Sequence, residues 1–599
     1  MNERITENII RKKFEPAIEE GFIIEEAQSK NPRINKLLQL ASKKGNGKGY
    51  PDFIVSHESD SNFLLIVECK ANKTYHQSAT LDQYDKYAVD GAFLYSSYLA
   101  KEFDVISLGV SGQNEEELLI SGFLQLKTFA EPKPFVNDLL TLPDLRTKYI
   151  YDEATKHQKY EELLSYNKEL NQTLHNYKIR EADRSLLLSG ILIALEHNVF
   201  KKGYTEYKTS KQLAEGLVTS VIQQLENANL PEFKIQTLEQ AYSFIKTNAT
   251  LSSNKDFFID LIDTIDKKIN SFVKTYKFYD IFGEFYIEFL RYANSDKGLG
   301  IVLTPKHITE LFCDLGSVTK DSVIFDNCCG TGGFLISAMR KMMTAANCNK
   351  EKEKHIKEKQ IIGIEFQDSI FPLACSNMII HGDGKTNIFN DDCLNFDIKS
   401  KIKKIFSPTV GLLNPPFKTD TKDIEELEFV LNNLEGLSEN ALCVALLPMQ
   451  CATAQSGEKL ALKKRLLNNH TLEAVVSLPD ELFYNSKVSA VTCAMVIRAH
   501  KPHPERYETY FGYWKNDGFL KRKNKGRIDA NLTWESIKKS WLESFRNRKS
   551  VLGISVMHHI SAKDEWCVEA YMETNYSMLT EQDFIKTIKN FVAYQFLNS

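Results

Sequence analysis

The stretch Val323-Ile324-Phe325-Asp326-Asn327-Cys328-Cys329-Gly330-Thr331-Gly332-Gly333 constrains the fold of this chain more than any other. An apolar run ending in an acid reads as a buried strand, the glycines as a turn, and Phe334 to Met343 as a helix. Together they make a nucleotide-type cradle, since glycine admits close backbone approach and a helix start offers N–H groups without helical partners. The spacing is not that of a dinucleotide G-x-G-x-x-G. Further on, Ile361-Ile362-Gly363-Ile364 ends in Glu365, an acid on a strand tip that suits a ribose diol. Asn387-Ile388-Phe389 then runs into Asp391-Asp392, where Asp392 is placed to face an adenine ring. Val410 to Leu413 reads as another strand, topped by Asn414-Pro415-Pro416-Phe417 at the sheet end where open α/β folds bind ligands.

Proline fixes its own φ and pushes the preceding residue out of the helical region, so Pro415 restrains Asn414 and Pro416 restrains Pro415. The expected result is a stiff turn presenting two oxygens. The exocyclic amine of adenine is a poor nucleophile because its lone pair is delocalised into the ring. The Asn414 side-chain oxygen and the Pro415 carbonyl would draw its N–H bonds out of plane and localise that pair toward an electrophilic methyl, with Phe417 stacking on the base.

A second constellation lies near the start. A basic, glycine-rich run, Lys43 to Gly49, leads into Tyr50-Pro51-Asp52-Phe53-Ile54-Val55, and after a polar turn comes Phe63-Leu64-Leu65-Ile66-Val67-Glu68-Cys69-Lys70. The alternation predicts a hairpin. Glu68 and Lys70, two apart, project from one face, and Asp52 enters that face from the partner strand. Two carboxylates beside an ammonium are what Mg²⁺-assisted phosphodiester cleavage needs. A hairpin carrying exposed charges is the bland alternative; the cost of burying a carboxylate at the end of an apolar strand argues against it.

The length of 599 residues suggests about three or four domains. Net charge is −4, so any nucleic-acid surface must be local. No apolar run reaches the length of a membrane span, and Met1-Asn2-Glu3-Arg4 lacks the layout of a signal peptide, so a cytoplasmic protein is expected. Eleven cysteines without a C-x-x-C pair suggest neither a disulfide framework nor zinc, and Cys328-Cys329 reads as two small buried residues. Pro132, Pro134 and Pro143 mark a boundary. After it, Tyr160, Leu163, Leu164, Leu170, Leu174 and Tyr177 recur at helical spacing. Thr304-Pro305 reads as a helix cap and first-turn pair. Gly384-Lys385-Thr386 only imitates the end of a phosphate-binding loop, so no nucleotide motor is expected. From Trp514 to Arg527 six basic residues stand against one acid, a run suited to phosphate contacts or simply to solvation. The chain closes on a helix opened by Thr580 to Asp583, with Leu579 and Phe584 as a staple. Its stripe of Phe584, Ile588, Phe591 and Val592 would pack internally or dock a partner.

Pro51-Asp52 followed by Glu68-Cys69-Lys70 resembles the PD-(D/E)xK nuclease superfamily, and Gln83 and Tyr87 match the Q-x-x-x-Y element of its restriction-subunit and RecB-type branch. At spacing i, i+4 these two are expected on one helical face. The resemblance implies an upstream acid on the first helix, for which Glu15, Glu19 and Glu20 are candidates, and metal ligation by Asp52 and Glu68. From roughly 290 to 515 the order of segments resembles the S-adenosylmethionine-dependent adenine-N6 DNA methyltransferases of restriction modification subunits. That resemblance places Thr304, Pro305, Asp326, Gly330, Gly332, Glu365 and Asp392 at the cofactor and Asn414, Pro415, Pro416 and Phe417 at the catalytic motif. Leu303, where an aromatic is usual, and Asn327, where proline is usual, depart from it.

The expected architecture is therefore α/β and multidomain, with a nuclease-like domain over 1–140 and a helical connector over 150–284. A Rossmann-like methyltransferase domain follows over 285–515, then a basic and helical tail over 516–599. The whole resembles the large subunit of type IIB-like restriction-modification enzymes. This implies S-adenosylmethionine and Mg²⁺ as cofactors, double-stranded DNA as substrate, and a hetero-oligomer with a separate specificity subunit. The alternatives are a modification-only methylase with an inert nuclease fold, a DNA-binding module that merely senses the cofactor, and protein-glutamine methylation. The last typically has tyrosine at the position of Phe417.

Overall fold

The computed structural model describes residues 2–597 except Asn46, Ser59, Asn229, 277–279, 290–302, 383–386, 485–489, 523–525 and 574–579. Gly384-Lys385-Thr386, Lys523, Lys525 and Leu579 of the sequence features above lie outside the described residues. The chain divides into two compact units, Met1–Leu164 and Ser165–Ser599. Among the described residues no helix is long and apolar enough to cross a membrane, and all eleven cysteines are free thiols.

The first unit holds a six-stranded mixed sheet of order β1 to β6: Phe22–Glu25, Phe53–His57, Asp60–Lys70, Asp104–Ser111, Leu119–Gln125 and Lys133–Val136. Strands β2 and β3 form the expected antiparallel hairpin, and β3 pairs in parallel with β4. The crossover between β3 and β4 carries α3 (Ala88–Leu99); α1 (Glu3–Phe14) and α2 (Pro32–Leu38) precede the hairpin. Helix α3 lies so close to β4 that a Cβ on Gly109 would stand 2.7 Å from the Val89 backbone nitrogen. Strand β3 is buried on both faces from Phe63 to Lys70, which explains its continuous apolar run. Two of the prolines expected at a boundary lie inside regular structure: Pro134 in β6 and Pro143 in the first turn of the helix Leu142–Tyr151. Val136, Leu142, Leu145 and Tyr149 join the unit's core, so this body extends past residue 140.

In the second unit, helices Glu181–Glu196 and Ser210–Asn227 continue the expected helical segment. It is tied to the larger sheet body by Tyr242, whose hydroxyl meets that of Ser376 at 2.5 Å. The sheet has nine strands: β7 Ile324–Asp326, β8 Ile361–Glu365, β9 Asn387–Asn390, β10 Val410–Leu413, β11 Leu442–Pro448, β12 Thr471–Ser477, β13 Thr492–Arg498, β14 Glu508–Tyr513 and β17 Ser555–His559. Strands β15 (Leu520–Arg522) and β16 (Gly526–Ile528) form a separate hairpin. The spatial order is β17-β14-β12-β13-β11-β10-β7-β8-β9. Strands β9, β8, β7, β10 and β11 are parallel, and β13 is antiparallel between β11 and β12. The winding reverses between β7 and β10, which makes the carboxyl ends of those two strands the place for a ligand.

Among the described residues of the basic run after Trp514, three cations are paired with acids. Lys515 pairs with Asp480 at 2.6 Å, Lys521 pairs with Glu481, and Arg527 clasps the buried Asp517 at 2.5 Å. Trp514 stacks on Trp541 in the core. Strand β17 draws the chain beyond 515 into the same sheet.

Candidate functional site

At the carboxyl end of β7, Asp326 is fully buried. One oxygen accepts the Cys328 N–H at 2.9 Å, and the other has no hydrogen-bond partner. Burial pushes its carboxyl up to about 8, opposed by the Cys328 N–H and aided by the charge of Glu365. Gly330 and Gly332 follow at φ +55° and +89°, the left-handed region in which a side chain is strained. A Cβ on Gly330 would enter open space, so the loop leaves a cradle lined by backbone, and the helix Gly333–Ala346 starts behind it. From β8, Glu365 crosses to this loop: one oxygen accepts the Gly330 N–H at 2.9 Å and the other the Gln367 N–H at 2.8 Å. Burial raises its carboxyl above the ordinary range. Each oxygen keeps a lone pair for a diol. Phe366, next in sequence, is 69 % exposed and offers a flat apolar surface beside the cradle.

Asp392, after β9, is half-buried, and both its oxygens serve its own turn, accepting from the Leu394 N–H at 3.0 Å and the Asn395 amide at 2.6 Å. Asn327, the residue in place of proline, fastens the loop sideways. Its amide donates to the Phe429 carbonyl at 2.9 Å and to Asn432 at 2.8 Å, and it accepts from Asn433 at 3.1 Å.

One strand over, β10 delivers Asn414-Pro415-Pro416-Phe417. The Asn414 amide nitrogen donates to the Thr304 hydroxyl at 3.0 Å, bringing together two residues that sequence reasoning placed in separate motifs. Pro415 is buried, Pro416 exposed and Phe417 half-buried, its ring edge-on to Phe483 at 5.8 Å. Beyond the motif, Glu426 accepts the Lys418 N–H at 2.8 Å and Glu425 pairs with the Lys418 ammonium at 2.7 Å. The loop is therefore held at both ends. Leu303 packs against the pair Ile370 and Leu373.

Asp280 was not expected here. This half-buried carboxylate accepts from the Gly283 N–H at 2.8 Å, the Asn377 amide at 2.7 Å and the Thr331 hydroxyl at 3.2 Å. It caps one helix and steadies the glycine loop together. The only sequence signal was an acid three residues ahead of Gly283.

In the first unit, Asp52 and Glu68 meet across the hairpin. Asp52 accepts the Cys69 N–H at 2.6 Å. Glu68 is 1 % exposed; one oxygen is ion-paired with Lys43 and lies 3.6 Å from Lys70, and the other is buried without a hydrogen-bond partner. Burial, then Asp52, pushes Glu68 up to about 7. Lys70 also reaches Glu3 at 3.1 Å.

Two expectations fail in this unit. Glu15, Glu19 and Glu20 lie exposed on a 3₁₀ turn. The acids that approach the site are Glu3 and Glu7, on α1, which Thr6 ties to the Gly112 carbonyl at 2.6 Å. The carboxyl of Glu7 is raised by burial and then by Asp52. Their i, i+4 spacing beside the buried Thr6, Ile10 and Phe14 was the available signal. Gln83 and Tyr87 do not share a helical face: Gln83 sits in a turn and Tyr87 is the extended N-cap of α3. The reason is Asp90, whose carboxylate takes the N–H groups of Ser78 and Gln83 at 3.1 and 2.9 Å and holds the preceding loop out of the helix. Among the described residues no group of three or more His, Cys, Asp or Glu side chains is placed to hold a metal ion.

A family model described as N-6 DNA methylase matches residues 277–597. The chain is 30% identical, over 99% of its own length and 96% of the relative's, to the type II restriction enzyme and methyltransferase RM.BcgI of Heyndrickxia coagulans. It is 26% identical, over 41% of its length and 50% of the relative's, to the type I restriction enzyme EcoEI methylase subunit of Escherichia coli. A solved chain of the type I R-M system superposes with a TM-score of 0.50 at 16% identity, over 75% of this chain and 97% of that one, a likeness of fold. With a methylase model matched over more than half of its residues and a relative matched nearly end to end, the chain belongs to the N-6 DNA methylase family, as an adenine-N6 DNA methyltransferase of a restriction-modification system.

Proposed function

We propose that methyl transfer takes place at Asn414-Pro415-Pro416-Phe417, with S-adenosylmethionine held by Asp326, Gly330, Gly332, Glu365 and Asp392, and with Thr304-Pro305 supporting the catalytic loop. The observation that carries this is the Asn414–Thr304 bond at 3.0 Å, on a loop one strand from the glycine cradle at the reversal of winding. The open space beside Gly330 and the unpartnered oxygen of Asp326 fit a cofactor against this backbone. S-adenosylmethionine supplies the electrophilic methyl. Adenine must leave the duplex to reach the loop. There the Asn414 oxygen and Pro415 carbonyl accept its two N–H bonds, the N6 lone pair turns toward the methyl, and Phe417 stacks on the ring. Tritiated methyl transfer to unmethylated DNA, lost in Asn414→Ala with cofactor binding retained, tests this; transfer undiminished by that substitution contradicts it.

We further propose that the first unit cleaves unmodified DNA. The name of the relative, restriction enzyme and methyltransferase, and the buried Asp52–Glu68–Lys70 group support this reading. Glu68, with one buried unpartnered oxygen, and Asp52 are the residues to hold Mg²⁺; two carboxylates are a usual protein share for that ion, the rest being water and phosphate. The ion would supply Lewis-acid stabilisation of the phosphate. Lys70, steadied by Glu3, is placed to orient water. Sequence reading belongs to a separate specificity subunit, which the methylase-subunit likeness supports. Plasmid cleavage with Mg²⁺ and that partner should vanish in Glu68→Ala while methyl transfer persists. A wild type that never cuts favours the modification-only reading.

A further inference from the structure

Lys43 has no place in the chemistry above, yet its ammonium is ion-paired with an oxygen of the buried Glu68. It also lies 5.5 Å over the ring of Tyr95, so it occupies a formed cation pocket. Lys70 stands 3.6 Å from the same carboxylate. A divalent ion taken on the other, unpartnered oxygen of Glu68 would stand beside the ammonium held on the first, two cations close together in a buried site where repulsion is poorly screened.

The chain around Lys43 suits its release. It occupies a tight turn in which the Gly45 N–H meets the Ser42 carbonyl at 3.4 Å, and the exposed Lys44 follows it. Gly45 and Gly47 take φ values of +98° and +138°, and open space surrounds the Cβ position of Gly45. The anchor at the other end is firm: Gly49 packs where a Cβ would lie 2.5 Å from the Ala41 carbonyl.

We propose that Lys43 is a resident counter-ion of the Asp52–Glu68 pair that a divalent metal must displace, so that this unit binds metal only as the lysine leaves. The inference rests on the nuclease reading of that pair. A site occupied most of the time by its own lysine shows an affinity reduced by the fraction in which the lysine is away.

The test uses the full chain. Lysine acetylation mapped by mass spectrometry should find Lys43 labelled several-fold more slowly than Lys44 without divalent ions, and nearly as fast with saturating Ca²⁺. Calorimetric titration with Mn²⁺ should show Lys43→Met binding about tenfold tighter than wild type. Lys44→Met should bind as wild type does, and thermal midpoints serve as the folding check. Labelling of Lys43 unmoved by bound metal, or equal Mn²⁺ affinity in Lys43→Met and wild type, overturns the proposal. If Glu68→Ala binds Mn²⁺ as wild type does, the metal site itself is misassigned, and the nuclease reading falls with the proposal.

Discussion

Asp326 carries a carboxyl with no exposed surface, pushed from the ordinary 3.8 to about 8 by burial, opposed by the Cys328 N–H and aided by Glu365. Between those values the native state holds a proton that the unfolded chain has lost, so stability falls as pH rises through that window, at up to about 1.4 kcal/mol per unit. Asp326→Asn removes the titration. The thermal midpoint of the ligand-free wild type should decline from mildly acidic to mildly alkaline pH, and that of the variant should change less; parallel profiles would contradict this. At this scale the sequence was informative where chemistry sits on a strand tip: Asp326, Glu365 and Asn414 stand where apolar runs end, and the sheet carries them to one edge. It did not reveal the contacts of Asp280 with Thr331 and Asn377 or of Lys43 with Glu68, because these partners lie far along the chain and only packing brings them near.

Gly411 shows how an element fixes the site. A Cβ there would lie 2.0 Å from the Asn433 side-chain oxygen, and the Asn433 amide reaches the Phe325 carbonyl at 3.3 Å and Asn327 at 3.1 Å. Gly411→Ala must push Asn433 aside and so loosen the loop after β7. The expected cost is roughly 1–3 kcal/mol, the usual range for overpacking, seen as a lower denaturant midpoint together with weaker cofactor binding. A stability loss with cofactor affinity unchanged would show that this fastening does not reach the cradle. Strands β7 to β10 were legible from apolar runs alone. The insertion of β13 between β11 and β12 was not, since nothing local in Thr492–Arg498 records which neighbours it pairs with. The helical reading of Gln83 and Tyr87 failed for a related reason: spacing permits a helix, and the carboxylate of Asp90 ends it at Ala88.

For the molecule as a whole, the helix Glu581–Leu597 leaves Phe584, Ile588 and Phe591 between 54% and 62% exposed. It is opened by Thr580, whose N–H and hydroxyl both meet Asp583, at 2.9 and 2.7 Å, the returning half of a capping box. Of the two outcomes expected for its stripe, internal packing is not seen for these three residues, and we propose the specificity subunit as the occupant. Truncation after Met572 should leave cofactor binding intact while abolishing co-purification with that subunit; retained co-purification would place the contact elsewhere. Adenine-N6 methylation at Asn414-Pro415-Pro416-Phe417 is tested most directly in a bacterial host lacking its own adenine methylases, expressing the chain with the proposed specificity partner. Sequencing that reads modified bases should find N6-methyladenine at one fixed DNA motif throughout the genome, and none in the Asn414→Ala strain. A genome free of N6-methyladenine, or one equally methylated by Asn414→Ala, would contradict it.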